Sequence, residues 1–94
     1  MPEMRFIVKW PDGAEEECYS PSLVIRDYFE EGRNYALSDF LARSREAFTI
    51  ASDRVRQRYG FACSLALGQL SHIEQRAGAF TDPHAEIQIK TFLL

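Results

Sequence analysis

Residues 38–69, SDFLARSREAFTIASDRVRQRYGFACSLALGQ, decide how this chain folds. From Asp39 to Tyr59 the apolar residues Phe40, Leu41, Phe48, Ala51, Val55 and Tyr59 recur at helical spacing and line one stripe. Arginines flank it, with Arg43, Arg54 and Arg58 along one border and Arg45 and Arg56 along the other. Asp39 stands four residues before Arg43, a pairing worth a few tenths of a kcal/mol on a helix surface. Ser38 suits the N-cap, and Gly60 suits the left-handed position that stops a helix. A further helix is predicted from Phe61 to Ala77. Its apolar residues (Ala62, Cys63, Leu65, Ala66, Leu67, Leu70, Ile73) cover much of its circumference, which predicts the most buried element of the fold. Ala66 and Gly68 leave room for a neighbouring helix to approach.

Working outward, MRFIVKW (4–10) alternates as a strand does, with Met4, Phe6, Val8 and Trp10 on one face and Arg5, Ile7 and Lys9 on the other. Pro11-Asp12-Gly13 reads as a three-residue turn leading into a hairpin with a glycine bulge. Pairing Trp10 with Ala14 sets Lys9 opposite Glu15, Val8 opposite Glu16 and Phe6 opposite Cys18. That register puts Cys18 in the core and leaves Glu16 to reach out at an edge. Ser20-Pro21 predicts a short helix with Ser20 as cap and Pro21 in its first turn. Its inward set is either Leu23, Val24 and Tyr28 or Leu23, Asp27 and Phe29. Glu30-Glu31-Gly32 ends it, and 33–37 reads as a loop. After Asp82-Pro83 the tail HAEIQIKTFLL (84–94) alternates again, with Ala85, Ile87 and Ile89 inward. The expected fold is a single α+β domain over residues 1–94, in the order β-β-α-α-α-β. The last strand joins the N-terminal hairpin in a small sheet that covers the helical layer.

Ninety-four residues suffice for one hydrophobic core without metal or disulfide support. Seven Phe, four Tyr and one Trp call for a core of large rings or an apolar face that meets a partner. A net charge of −3 argues against general nucleic-acid binding, which needs a basic surplus. No apolar run reaches membrane-spanning length and the polar start does not resemble a signal peptide, so a cytoplasmic location is expected. The two cysteines, Cys18 and Cys63, show neither CxxC nor zinc spacing, and no metal or other cofactor is expected.

Candidate chemistry is sparse. Cys63 falls in the first turn of the predicted third helix, where the helix dipole lowers a thiol's pKa. A catalytic role needs a base; His72 is out of phase on the same helix, and His84 reaches it only through tertiary folding. The plainer reading is a buried small hydrophobe, the usual fate of a free cysteine. Tyr19 and Ser20 beside a helix start, with Arg54 and Arg58 from the arginine borders, form a candidate anion site. Capping accounts for Ser20, and solvated stems flanking a buried stripe account for the arginines.

The wording of the chain carries a resemblance. MPEMRFIVKWPDGAEEECYSPSLVIRDYF (1–29) and SREAFTIASDRVRQRYGFACSLALGQL (44–70) resemble a small bacterial family of nitrogen-starvation-response proteins, most specifically in WPDG, ECYSPSL, IASDRVR and YGFACS. It extends to about Ile73, and nothing is carried over to the tail from Thr81. Members are typically encoded beside a nitrilase-type hydrolase, a radical-SAM protein, an acetyltransferase, a synthetase-like protein and a flavoprotein. The resemblance thus implies a place in a nitrogen-scavenging pathway and brings no catalytic residues with it. Together these readings lead to the expectation of a non-enzymatic accessory protein that binds a pathway enzyme. The alternatives are a cysteine-dependent enzyme or carrier using Cys63 and a small-anion sensor. A homodimer is also expected, through edge pairing of the last strand at Phe92-Leu93-Leu94.

Overall fold

The computed structural model describes residues 3–61 and 64–94. Strands β1 (Met4–Lys9) and β2 (Glu15–Ser20) lead to a single helical turn α1 (Ile25–Tyr28) and a short strand β3 (Asn34–Ala36). Helices α2 (Leu37–Tyr59) and α3 (Ser64–Ala77) follow, and strand β4 (Glu86–Leu93) ends the fold. The strands form one antiparallel sheet in the order β2-β1-β4-β3. The α+β class holds.

The hairpin has the expected register, with Phe6 opposite Cys18, Val8 opposite Glu16 and Lys9 opposite Glu15. Its turn closes through Trp10 N donating to Ala14 O at 2.8 Å and Gly13 N donating to Trp10 O at 2.8 Å. Gly13 takes a φ of 88°, the bulge conformation that glycine adopts without strain. Met4, Phe6, Val8 and Trp10 are all buried. They meet a helical layer of rings: Phe6 lies 6.3 Å from Phe48 and 6.5 Å from Phe29, and Trp10 stands edge-on to Phe40 at 5.8 Å. The opposite face of β1 and β2 carries exposed Arg5, Lys9, Glu15 and Glu17.

Four local expectations are corrected. Residues 34–36 form strand β3, which pairs Tyr35 with Ile87, where a loop was expected. Three residues are too short for an alternation signal; β4 supplies the pairing. Ser20 is the last residue of β2 and caps no helix. Its hydroxyl donates to Ser22 O at 2.8 Å and accepts from Ser22 N at 3.2 Å, closing a serine turn. The helix that follows is one turn long; Leu23, Val24 and Tyr28 turn inward as the first expected set has it, joined by buried Ile25 and Phe29, while Asp27 of the second set is exposed. Ser38 does not cap α2. The helix starts at Leu37, and its first amides donate to strand-side carbonyls, Leu37 N to Ala85 O at 2.8 Å and Ser38 N to Pro83 O at 3.1 Å. Gly60 ends α2 as expected, with φ 84° and its N–H on Arg56 O.

The fourth correction concerns α3, which is not the most buried element. It buries Ala66, Ile73 and Ala77, while Leu65 is 66% and Leu67 46% exposed. A Cβ at Gly68 would meet nothing within 4 Å, so no neighbouring helix among the described residues fills that space. Apolar residues around the whole circumference had implied cover on all sides. Among the described residues, α3 is covered chiefly where it meets α2 and β2.

Strand β4 is interior, between β1 and β3, rather than an edge. Beyond β3 its outer side is occupied as well. Gly32 N donates to Ile89 O at 2.6 Å, and Glu31 Oε1 accepts from Phe92 N at 2.6 Å. The edge pairing expected to form a homodimer therefore lacks the free strand it needs. The register with β1 also slips between Ile7 and Val8, leaving Lys90 as a bulge residue.

Candidate interaction surface

The site is built by α3 docking against β2. Glu16 shares the inward face of β2 with Cys18 and, unlike the outward escape expected of it, is met by α3. Arg76 Nε donates to Glu16 Oε1 at 2.8 Å, and His72 Nε2 lies 2.7 Å from Glu16 Oε2. Arg76 also reaches Asp12 at 3.5 Å. Its guanidinium lies over Trp10 at 5.0 Å and Phe80 at 5.7 Å, where the two rings stack. A partly buried charge needs such partners, and the bidentate use of Glu16 fixes where α3 sits. Gln69 adds a further tie, its Oε1 accepting from Tyr19 N at 3.0 Å. On the far side Arg45 of α2 pairs with Glu74 at 3.0 Å.

Held this way, α3 leaves two features open. One is the α2–α3 corner, where Tyr59 is 54% and Phe61 67% exposed, their rings 6.4 Å apart, with Leu65 and Leu67 exposed just beyond. Leu93 and Leu94 are the other large exposed apolar residues described. The second is a groove of about 360 Å³ between β2 and α3, lined by Glu16, Glu17, Tyr19, Leu65, Gly68 and His72 among others. Exposed aromatic rings with an arginine against one of them are residues enriched in protein contact surfaces.

A family model described as nitrogen starvation-induced protein NitG matches residues 5–92. The chain belongs to that family. No curated protein and no solved structure matches it. The matched stretch runs from β1 into β4 and so takes in both the docked helix and the open corner.

Cys63 lies outside the described residues. Of the two histidines proposed to serve it, His72 is engaged with Glu16, and exposed His84 donates its backbone N–H to Asp82 Oδ1 at 2.9 Å. Ser20 and Arg54 come together at Ser22, which is buried; Arg54 Nη1 donates to Ser22 Oγ at 2.9 Å. Arg58 lies instead over the Tyr59 ring at 5.8 Å. Tyr19 belongs to the β2 side, its hydroxyl donating to Glu3 at 3.0 Å and its ring lying 5.8 Å from Arg5. Cys18 is fully buried, and burial, reinforced by Glu16 and Glu17, pushes its thiol up to about 12. That suits a packing role and opposes thiolate chemistry. Among the described residues no group of His, Cys, Asp and Glu is arranged to hold a metal ion, and no helix is long and apolar enough to cross a membrane.

Glu16 stands outside the candidate residues expected from sequence. Its signal was present: a carboxylate in register with buried Val8, on a face that otherwise points inward, needs a cation from another element.

Proposed function

We propose that this chain is a non-enzymatic accessory protein of a nitrogen-scavenging pathway in the cytoplasm, acting by binding an enzyme of that pathway. The observation that carries this reading is the exposure of four large apolar side chains, Tyr59, Phe61, Leu65 and Leu67, on a chain whose Phe6, Phe40 and Phe48 rings are fully buried. Membership of a nitrogen starvation-induced family supports the physiological setting. The resemblance to proteins encoded in nitrilase-type gene clusters supports the class of partner. Arg58, over the Tyr59 ring, adds a guanidinium group suited to a carboxylate-bearing rim on that partner.

The test is purification of the tagged protein from nitrogen-starved native cells, with identification of what accompanies it. Stoichiometric recovery of a pathway enzyme supports the reading. Recovery of the chain alone, as a monomer by light scattering at micromolar concentration, contradicts it. A dimer of the chain alone redirects the corner to self-association.

A further inference from the structure

The β2 edge has the geometry of a strand-addition site. Trp10 exchanges hydrogen bonds across the turn with Ala14 and Gly13, so the paired residues Glu16, Cys18 and Ser20 turn their peptide groups toward β1. Glu15, Glu17 and Tyr19 consequently turn theirs outward, along an edge that no strand among the described residues occupies. At Tyr19 that outward N–H is taken by the side-chain carbonyl of Gln69, which stands where a neighbouring strand's carbonyl would stand. Beside the edge runs α3, and between them lies the groove with Leu65 on its wall and unfilled space over Gly68. An edge strand facing a helix across an open groove is how several peptide-binding domains take an extended chain: backbone bonds supply affinity and alternate side chains enter the groove.

We propose that this groove binds an extended segment of a partner protein that alternates basic and apolar side chains, added antiparallel or parallel to β2. The proposal rests on the accessory reading above and specifies how the partner is recognised. Charge selects the occupant. Glu15, Glu16 and Glu17 succeed one another on β2, and Glu3 reaches the same strand through Tyr19. Glu16 is already met by His72 and Arg76. Among the described residues Glu17 and Glu15 have looser pairs, with Arg5 at 3.5 Å and Lys90 at 3.9 Å, both solvent-exposed contacts of little strength. A second copy of β2 would set these carboxylates against themselves, which disfavours self-pairing. Lysine or arginine on the incoming strand would meet Glu15 and Glu17, and an apolar side chain between them would enter the groove at Leu65.

The probe is a short fluorescein-labelled peptide alternating lysine with leucine, titrated by anisotropy into the full chain, with a glutamate-for-lysine peptide as control. Two variants localise binding. Glu17→Pro removes an outward N–H while leaving the β1 ladder intact, as edge prolines do. Gly68→Trp fills the groove from a position with open space above it. The expected result is saturable binding that weakens roughly tenfold or more in each variant, about 1.4 kcal/mol or more. Amide shift changes on binding should be confined to 15–19 and 64–72. Absence of saturable binding, equal binding to both variants, or tighter binding of the glutamate peptide overturns the proposal. Capture of the same partner from cells by wild type and Glu17→Pro alike also overturns it, while leaving the accessory reading in place.

Discussion

The two sides of α2 make an instructive contrast. Toward the sheet, Phe40 and Phe48 are fully buried against Phe6, Trp10 and Phe29. At its C-terminal end, Tyr59 and then Phe61 stand mostly in water, and α3 continues the exposure with Leu65 and Leu67. The same kinds of side chain are thus used to opposite effect within one helix and its successor. The first region holds the fold together; the second contributes little to it and has the makings of a contact surface.

That contrast is broken or sharpened most strongly by truncating rings. Phe6→Ala and Phe48→Ala should each cost about 3–5 kcal/mol in chemical denaturation, the range for emptying a large buried site. Phe61→Ala and Leu67→Ala should change stability by no more than about 0.5 kcal/mol. Comparable losses in both sets would show that the corner is part of the core.

Next in size is the clasp holding α3. Glu16→Ala leaves Arg76 and His72 without their shared carboxylate and should cost about 1–3 kcal/mol. Glu74→Ala, which breaks an exposed pair with Arg45, should cost at most about 0.5 kcal/mol. Equal effects would mean that α3 is not positioned through Glu16. Smaller again is Ser22→Ala, which removes the acceptor for Arg54 and for Val24 N and should lower stability by about 1 kcal/mol.

Cys18 adds a pH signature to the buried region. Its thiol is raised from an ordinary 9.0 to about 12, chiefly by burial. The folded state therefore holds this proton more tightly than the unfolded state does. The stability linked to it is fully present below about pH 9 and is lost as pH rises from 9 toward 12. In a Cys63→Ser background the unfolding free energy should fall more steeply with pH across that window than in a Cys18→Ala, Cys63→Ser chain. Matching slopes would place Cys18 in water.

The buried region was the more legible in sequence. Alternation from Met4 to Trp10 and the Pro11-Asp12-Gly13 turn determine the hairpin register, because a one-residue slip would expose every ring. The helical stripe and Gly60 likewise determine where α2 runs and stops. Legibility failed where local chemistry had two uses. The Ser20 hydroxyl serves a turn as well as it would a cap, and α2 needs no side-chain cap once the 83–85 carbonyls receive its amides. Short β3 is decided by its partner strand. The Lys90 bulge left a trace in the change of parity from Ile87 and Ile89 to Phe92, which faces Phe6. For α3, an apolar circumference specifies how much surface needs cover and not what covers it, so its open side emerged only with the tertiary arrangement. Of the candidate site, Ser20 and Arg54 do converge, on Ser22, whereas Tyr19 and Arg58 take other neighbours.

Whether exposed Tyr59, Phe61, Leu65 and Leu67 meet a partner is tested most directly by co-purification with Phe61→Ser beside wild type from nitrogen-starved cells. The account predicts that the variant melts at the wild-type temperature and no longer brings down the enzyme that wild type retains. A variant that keeps that enzyme, or that loses it only because the fold itself melts early, would contradict the account.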